Sequence, residues 1–200
     1  MMNNNFNQAI VNRRSVYAIG KNVKHSQEEI RQLVEHAVKY TPASFNSQSA
    51  RAVVLMGSSH DRLWDIVRET LRKIVPAESF ASTDEKINSF QAGVGTVLFF
   101  EEQKIVKGLQ EQFALYSDNF PIWSLQSNGM LEYVVWTAFS EAGIGASLQH
   151  YNPLIDDEVR KVWNLPDSWK LLAQMPFGSI EAEPGVKEFA PIEDRVKFFN

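Results

Sequence analysis

Three polar stretches of the sequence could bind a ligand. The first, Arg13-Arg14-Ser15, places two guanidinium groups and a hydroxyl side by side. Guanidinium groups form paired hydrogen bonds with phosphate oxygens, and a serine hydroxyl adds a further donor. Adjacent arginines are more often a solvated surface feature, so an exposed basic patch is the alternative to a phosphate site.

The second stretch, residues 41–48, follows a helix stop and carries side-chain amides and hydroxyls. Such groups can bind the polar edge of a heterocycle, although an ordinary polar loop has the same composition. The third stretch, residues 143–152, begins with Gly143-Ile144-Gly145-Ala146. Small residues let a ligand approach the backbone closely. In the tail, Arg195 and Lys197 are two residues apart and would point to the same side of an extended chain.

Most familiar catalytic motifs are missing from the sequence. Without cysteine there is no disulfide, thiolate nucleophile or thiolate metal ligand. Gly93-Val94-Gly95 and Gly143-Ile144-Gly145 lack the third glycine of a dinucleotide-binding turn, and there is no Walker A motif, nucleophile elbow or HExxH pair. The four histidines lack the spacing of metal ligands, so no metal site is predicted. If the chain is an enzyme, we expect a bound cofactor to carry the chemistry.

Composition narrows the possible classes further. A net charge of −4 over 200 residues argues against a nucleic-acid-binding protein, which should be basic. No apolar run approaches the roughly 18 residues of a membrane span, and the polar residues 1–5 do not resemble a signal peptide, which predicts a cytoplasmic protein. The length suits one domain over residues 1–200. An aromatic content of 12% fits a ring-rich core and oligomer interface, or rings that face a flat ligand.

Helices and short strands must position these stretches. Ser26 and Glu29 form a capping box that predicts a helix start, and Thr41-Pro42 predicts its end. Ser59 is expected to cap a second helix, and a long third helix should end at Gly143, in the left-handed position that favours glycine. Short apolar runs predict buried strands at residues 52–56, 96–100 and 169–177. Strands this far apart favour an α+β sandwich over a regular βαβ array.

The chain resembles the nitroreductase superfamily of FMN-dependent oxidoreductases through four segments taken in order. They are residues 13–17 (Arg-Arg-Ser-Val-Tyr), 42–48 (Pro-Ala-Ser-Phe-Asn-Ser-Gln), 143–152 (Gly-Ile-Gly-Ala-Ser-Leu-Gln-His-Tyr-Asn) and 193–199 (Glu-Asp-Arg-Val-Lys-Phe-Phe). The likeness is strongest to the short fatty-acid-repression-mutant or hydroperoxide-related branch. It implies an α+β fold, a nitroreductase-like sandwich with a central, mostly antiparallel sheet flanked by helices, assembled as a homodimer.

The resemblance also implies an FMN site at the subunit interface. Arg13 and Ser15 would hold the phosphate and the ribityl chain, with Arg14 beside them. Tyr17 stands where many members have a third basic residue, and its ring would pack there. The remaining cofactor-binding side chains fall into three groups: Arg195 and Lys197 over the phosphate, Ser44, Asn46 and Gln48 toward the partner subunit's flavin, and Leu148, Gln149 and His150 beside the isoalloxazine.

The reaction that the resemblance implies is ping-pong hydride transfer. NADH or NADPH would be the electron donor, and a small, flat, electron-poor nitroaromatic or quinone would be the acceptor. No side chain is expected to be catalytic, because the flavin carries the chemistry. In the lid-like residues 101–127, Phe113, Tyr116 and Phe120 would shape the choice of acceptor, or simply pack. Two other functions stay open: a slow flavin-binding regulatory or stress-response protein in lipid or redox signalling, and a domain without cofactor.

Overall fold

An antiparallel sheet forms the centre of the computed structural model, which describes residues 4–199, so the first three residues of the polar N-terminus lie outside it. The strands are β1 (Ile19–Gly20), β2 (Ala50–Met56), β3 (Gly95–Glu102), β4 (Ile144–Ala146) and β5 (Trp169–Ile180). Their order is β1-β5-β3-β2, and β4 also pairs with β5. The three predicted strands are confirmed as parts of β2, β3 and β5.

The apolar runs of β3 and β5 arise because both faces of the sheet are covered. Successive side chains of a strand point to opposite faces. Val97 and Phe99 therefore pack on one side of the sheet, while Leu98 and Phe100 pack on the other. A register shift between Phe99 and Phe100 marks a bulge in the pairing with β5.

Helices cover both faces of this sheet. They are α1 (Asn4–Asn12), α2 (Gln27–Tyr40), α3 (Ser58–Leu71), α4 (Phe80–Gln91), α5 (Gln103–Gln112), α6 (Phe120–Glu141) and α7 (Asp156–Val162). The helices α2 and α6 pack with Val97 and Phe99, and we call this side the α2–α6 face. The helices α3, α4 and α7 pack with Leu98 and Phe100 on the opposite side, the α3–α4 face. The α+β sandwich with helices on an antiparallel sheet is thus confirmed.

Helix ends follow local signals in three of four predicted places, and α2 ends at Tyr40, directly before Thr41-Pro42, as predicted. The Glu29 backbone N–H donates to Ser26 Oγ at 3.2 Å, and the Ser26 N–H donates to Glu29 Oε2 at 2.8 Å, which confirms the capping box. Gly143 follows α6 with a φ of 71°, as predicted. The cap assigned to Ser59 is wrong, because α3 already begins at Ser58, directly after Gly57 with a φ of 54°.

The predicted lid region and the tail differ in how they are held. Residues 101–127 form the end of β3, α5, a short 3-10 turn and the first turns of α6. The tail after β5 instead runs along the surface and exposes apolar side chains along its length: Val186, Phe189, Ile192, Val196, Phe198 and Phe199. Within residues 4–199, no helix is long and apolar enough to cross a membrane.

Candidate functional site

The Arg13-Arg14-Ser15 segment lies against the glycine-rich strand β4. Ser15 forms an isolated parallel bridge with Ala146, and the Val16 N–H donates to the Ala146 carbonyl at 2.9 Å. Gly145 permits this close approach, because a Cβ at this position would meet side-chain atoms of Val16 at 3.0 Å. Two of the predicted binding stretches, more than a hundred residues apart in sequence, are therefore neighbours in the fold.

Arg13 is held by aromatic rings and has no acidic partner. Its guanidinium carbon lies 4.4 Å from the centre of the Trp136 ring and 5.8 Å from that of Tyr133. The indole N–H of Trp136 in turn donates to the Ala146 carbonyl at 3.1 Å, which fixes the ring. In the described part of the chain, no carboxylate forms an ion pair with Arg13, and its buried Nε has no hydrogen-bond partner. This leaves a positioned positive charge available to an anion.

Arg14 has a different role from Arg13, because its guanidinium already donates to the Gly185 carbonyl at 2.7 Å. This contact joins the tail to a cavity of about 500 Å³ beside the Arg13-Arg14-Ser15 segment. Tyr17 and Lys187 also line the cavity, which brings a basic residue of the tail to the first stretch. Arg195 and Lys197 do not line it. Lys187 was not among the predicted site residues. The only local signal in the sequence is the Pro184-Gly185 pair before it, which is typical of a turn.

The extended segment after β4 presents its backbone toward two sides. The N–H groups of Ser147 and Gln149 donate to carbonyls of β5, at 3.3 and 2.7 Å. The alternate N–H groups, those of Leu148 and His150, have no hydrogen-bond partner among residues 4–199 and point away from β5. The side chain of Gln149 is buried and donates to Ser147 Oγ at 3.1 Å, whereas His150 is exposed. The free donors here are thus backbone groups.

The amide-bearing loop, residues 42–48, lies elsewhere. Within one protomer, Pro42, Ala43 and Gln48 line a separate cavity of about 540 Å³ between α2, β2 and α6. Asn46 and Gln48 are exposed and Ser44 is half-buried. The structure therefore brings residues 13–16 against β4 (Ile144–Ala146) and leaves Ser44, Asn46 and Gln48 apart from them.

Aromatic side chains of the predicted lid hold this loop. The ring of Phe45 lies 4.9 Å from that of Phe113, 5.3 Å from Phe120, 6.2 Å from Trp123 and 6.4 Å from Tyr116, measured between centroids. Such distances are typical of stabilising ring pairs. The sequence indicated rings in the lid but not that Phe45, inside the polar loop, is their common partner.

Two carboxyl groups near the α6 helix are strongly affected by burial. Burial without any compensating partner raises the pKa of Glu132 to about 7. Burial also raises the pKa of Glu101, against the opposing effects of the Ser49 hydroxyl, the Asn128 amide and the Arg51 charge. Glu132 lies one helical turn after Asn128 and one turn before Trp136, on the stretch of α6 that faces the site.

Comparison with known proteins agrees with this geometry. The sequence profile of the Nitroreductase family matches residues 10–179. The structure of nitroreductase CinD from Lactococcus lactis has a TM-score of 0.90 and 48% sequence identity, covering 98% of this chain and 100% of that chain. Two Saccharomyces cerevisiae proteins are similar over most of their length: HBN1 at 32% identity (94% of this chain, 93% of that protein) and nitroreductase FRM2 at 30% (92% and 93%). The chain belongs to the nitroreductase family.

Proposed function

We propose that this protein is an FMN-dependent NAD(P)H oxidoreductase that reduces nitroaromatic or quinone-type acceptors, with residues 1–200 as one FMN-binding domain. The observation that carries the proposal is the packing, in a nitroreductase-family chain, of the segment with the uncompensated Arg13 guanidinium against β4, which leads directly into the free backbone donors of Leu148 and His150. A phosphate requires a positive charge such as that of Arg13, and the polar edge of a flavin requires hydrogen-bond donors such as these N–H groups.

The residues of the candidate site fit both the phosphate end and the ring end of FMN. Arg13, Ser15 and Lys187 border the same cavity and supply positive charge and a hydroxyl for the phosphate. The Trp136 ring keeps the Arg13 guanidinium in place, so less conformational entropy is lost when the phosphate binds. The N–H groups of Leu148 and His150 would donate to the ring and stabilise negative charge on it.

The chemistry itself belongs to the cofactor. Held by Arg13, Ser15 and the segment after β4, FMN would supply the hydride chemistry that links reduced nicotinamide to the acceptor. Related CinD structures hold chloramphenicol, 4-nitrophenol and nicotinic acid, which supports a flat aromatic acceptor and a nicotinamide donor here. The role of the protein is to bind, orient and stabilise charge.

A second copy of the chain completes the site in this proposal. The apolar residues of α6 surround the whole helix, and five of them stay exposed: Ile122, Leu125, Met130, Tyr133 and Val134. A partner covering this surface would bring Ser44, Asn46 and Gln48 to the other subunit's flavin. An obligate interface should bury more than about 2,000 Å². Sedimentation that shows a flavin-loaded monomer at micromolar concentration would contradict the homodimer.

The phosphate assignment predicts different responses to FMN and riboflavin. Arg13→Ala should weaken FMN binding by about 10- to 150-fold, because charge-assisted hydrogen bonds contribute roughly 1.5–3 kcal/mol. Riboflavin lacks the phosphate, so its affinity should hardly change. Gln48→Ala, assigned to the ring edge, should weaken both ligands alike. Fluorescence titration of both flavins measures all four affinities.

Two outcomes would count against the proposal. If Arg13→Ala weakens riboflavin as much as FMN, Arg13 acts through folding or assembly and not through the phosphate. If FMN-loaded protein turns over less than about once per minute with every acceptor, a regulatory flavoprotein is favoured, since enzymes typically run at roughly 1–1,000 per second. Comparing Lys187→Ala with Lys197→Ala then identifies which basic residue of the tail contacts the phosphate.

A further inference from the structure

The amide-bearing loop, residues 42–48, has an unusual backbone. Phe45, Asn46 and Gln48 have φ values of 57°, 48° and 49°, in the left-handed region that non-glycine residues rarely adopt. Each such residue costs conformational free energy, and three within four positions persist only where the surroundings hold them. The loop therefore needs specific supports.

Two supports are visible on its surface side. Phe45 is surrounded by the lid rings described above. Arg51 donates from one guanidinium nitrogen to the Gln48 carbonyl at 2.7 Å and to the Ala50 carbonyl at 2.9 Å. These contacts fix the middle and the C-terminal end of the loop but leave its inner side to be explained.

The inner side of the loop rests on a chain of buried polar groups. Ser47 Oγ lies 3.3 Å from Ser49 Oγ, and Ser49 faces the carboxyl group of Glu101 across the β2–β3 pair. On the other side of that carboxyl, Asn128 of α6 donates to Glu101 Oε2 at 3.0 Å. Ser49, Glu101 and Asn128 are all almost completely buried.

These buried polar groups have one hydrogen-bond donor too few for their acceptors. The Asn128 amide uses both of its hydrogens, one on the Phe100 carbonyl at 3.0 Å and one on Glu101 Oε2. Glu101 Oε1 and Asn128 Oδ1 are left without a hydrogen-bond partner. Rotating the amide does not help, since its oxygen would then face two acceptors. The Ser49 hydroxyl can donate to the Glu101 carboxyl group, but Asn128 Oδ1 then still lacks a donor, and a proton on Glu101 supplies one.

The charged groups around Glu101 do not supply the missing hydrogen-bond donor. Arg51 on β2 is the cation whose charge acts on the carboxyl group, but its guanidinium is committed to backbone carbonyls. Lys170 lies opposite Glu101 in the β3–β5 register and is exposed, and Glu132 lies one turn further along α6. Burial is the largest influence and raises the pKa of Glu101, in agreement with the hydrogen count.

We infer that Glu101 is the positioning residue of the amide-bearing loop, and that it acts as the neutral acid, donating its proton to a buried acceptor on Ser49 or Asn128. The inference rests on the proposed function, in which this loop presents Asn46 and Gln48 to the flavin of the partner subunit. Ionisation of Glu101 would leave a buried charge and remove a donor, so the loop would lose its inner support.

Substitution of Glu101 by two side chains separates a neutral acid from a carboxylate. Glutamine accepts from Asn128 and supplies hydrogens where the acid would, so Glu101→Gln should leave loop protection and FMN affinity within about threefold of the wild type. Glu101→Ala removes the carboxyl partner of Ser49 and Asn128, and should lower hydrogen-exchange protection of residues 44–50 and FMN affinity by about tenfold each. Glu102→Gln, at the neighbouring carboxylate that caps α5, is the matched control and should change neither.

Hydrogen exchange is measured on the protein without flavin, so it does not depend on the proposed function. If Glu101→Gln opens the loop as much as Glu101→Ala, an ionised carboxylate holds it and the inference is wrong. If Glu101→Ala leaves the exchange unchanged, Glu101 does not position the loop. Should Glu101→Ala fail to fold, Ser49→Ala should raise exchange in the same residues, and no rise would overturn the inference. If the loop of the wild type is protected from exchange but the protein binds no FMN, the proposed function is contradicted and the inference about Glu101 is not.

Discussion

The two faces of the sheet differ in how well their buried polar groups are satisfied. On the α3–α4 face, the Trp64 indole N–H donates to Thr96 Oγ1 at 3.1 Å, and His60 Nδ1 lies 2.9 Å from the same hydroxyl. His60 Nε2 lies 3.3 Å from the Gln91 carbonyl, which can only accept. The imidazole is therefore neutral, with its hydrogen on Nε2, and burial lowers the pKa of His60 accordingly.

The α2–α6 face holds more of the unsatisfied groups, although Asp156 Oδ1 of α7, on the α3–α4 face, is also buried without a partner and has a pKa raised by burial. Arg13 Nε, Glu101 Oε1 and Asn128 Oδ1, all on the α2–α6 face, belong to the few buried side-chain atoms of residues 4–199 without a hydrogen-bond partner. The raised pKa values of Glu101 and Glu132 lie here as well. Unsatisfied groups and shifted pKa values cost stability and tend to occur at functional sites. The concentration of such groups on the α2–α6 face supports the ligand site proposed there.

Removing Arg68 should produce the largest loss of stability without a loss of binding. On the α3–α4 face its guanidinium donates to Asp84 at 2.7 Å and to Asp65 at 2.6 Å, joining α3 to α4. Its side chain is only 15% exposed. Arg68→Ala should lower the free energy of unfolding by about 3 kcal/mol, because partly buried charged groups lose their partners. Urea unfolding followed by circular dichroism measures the loss.

The matched control for Arg68 is Arg62 on the same helix. Its side chain is 44% exposed and its carboxylate neighbours are 3.8 and 3.9 Å away. Arg62→Ala should therefore change the free energy of unfolding by less than about 1 kcal/mol. The FMN affinity of folded Arg68→Ala should equal that of the wild type. A large drop in affinity would show that the two faces are not separate in function.

Glu132→Gln should stabilise the protein at alkaline pH but not in acid. A pKa raised in the folded state means that stability is fully present below the unfolded value of about 4.5 and is lost as the pH rises through about 7. The neutral glutamine avoids this loss, so the variant should match the wild type at pH 4. At pH 8 it should be more stable by roughly 2 kcal/mol, reduced from the full linkage value for partial exposure.

Denaturant unfolding at both pH values measures this difference. Glu141→Gln is the control, because Glu141 is an exposed carboxylate on the same helix. Its effect on the free energy of unfolding should be small and equal at both pH values. Parallel pH profiles for Glu132→Gln and the wild type would mean that Glu132 is solvated in solution, and the contrast between the faces would rest on Arg13 and Glu101 alone.

The sequence predicts most of the fold because its signals are local. The capping box needs only Ser26 and Glu29, the end of α6 needs only Gly143, and an apolar run is enough for β3. Strands β1 and β4 were not predicted, since they are two and three residues long and exist only by pairing with β5.

The candidate site was less predictable because it depends on contacts distant in sequence. The resemblance identified residues 13–15 and the stretch that begins with β4, and the structure packs the first against β4. It gave no indication of Trp136 beneath Arg13 or of Asn128 against Glu101, contacts made by α6 across long sequence separations. The assignment of the amide-bearing loop depends on a partner subunit, and it stays a prediction, as do the assignments of Arg195 and Lys197 to the phosphate.

The smallest expected effect compares two serines that the sequence alone does not distinguish. Ser26→Ala removes the hydrogen bonds that Ser26 Oγ makes with the backbone N–H and the carboxylate of Glu29 at the start of α2, and should lower the free energy of unfolding by about 1 kcal/mol. Ser59→Ala should have no effect or stabilise slightly, because Ser59 lies inside α3, caps nothing and is replaced by a better helix former. Chemical denaturation of the two variants side by side measures the difference. Equal losses would mean that Ser59 does cap α3 in solution, with the helix starting later than Ser58.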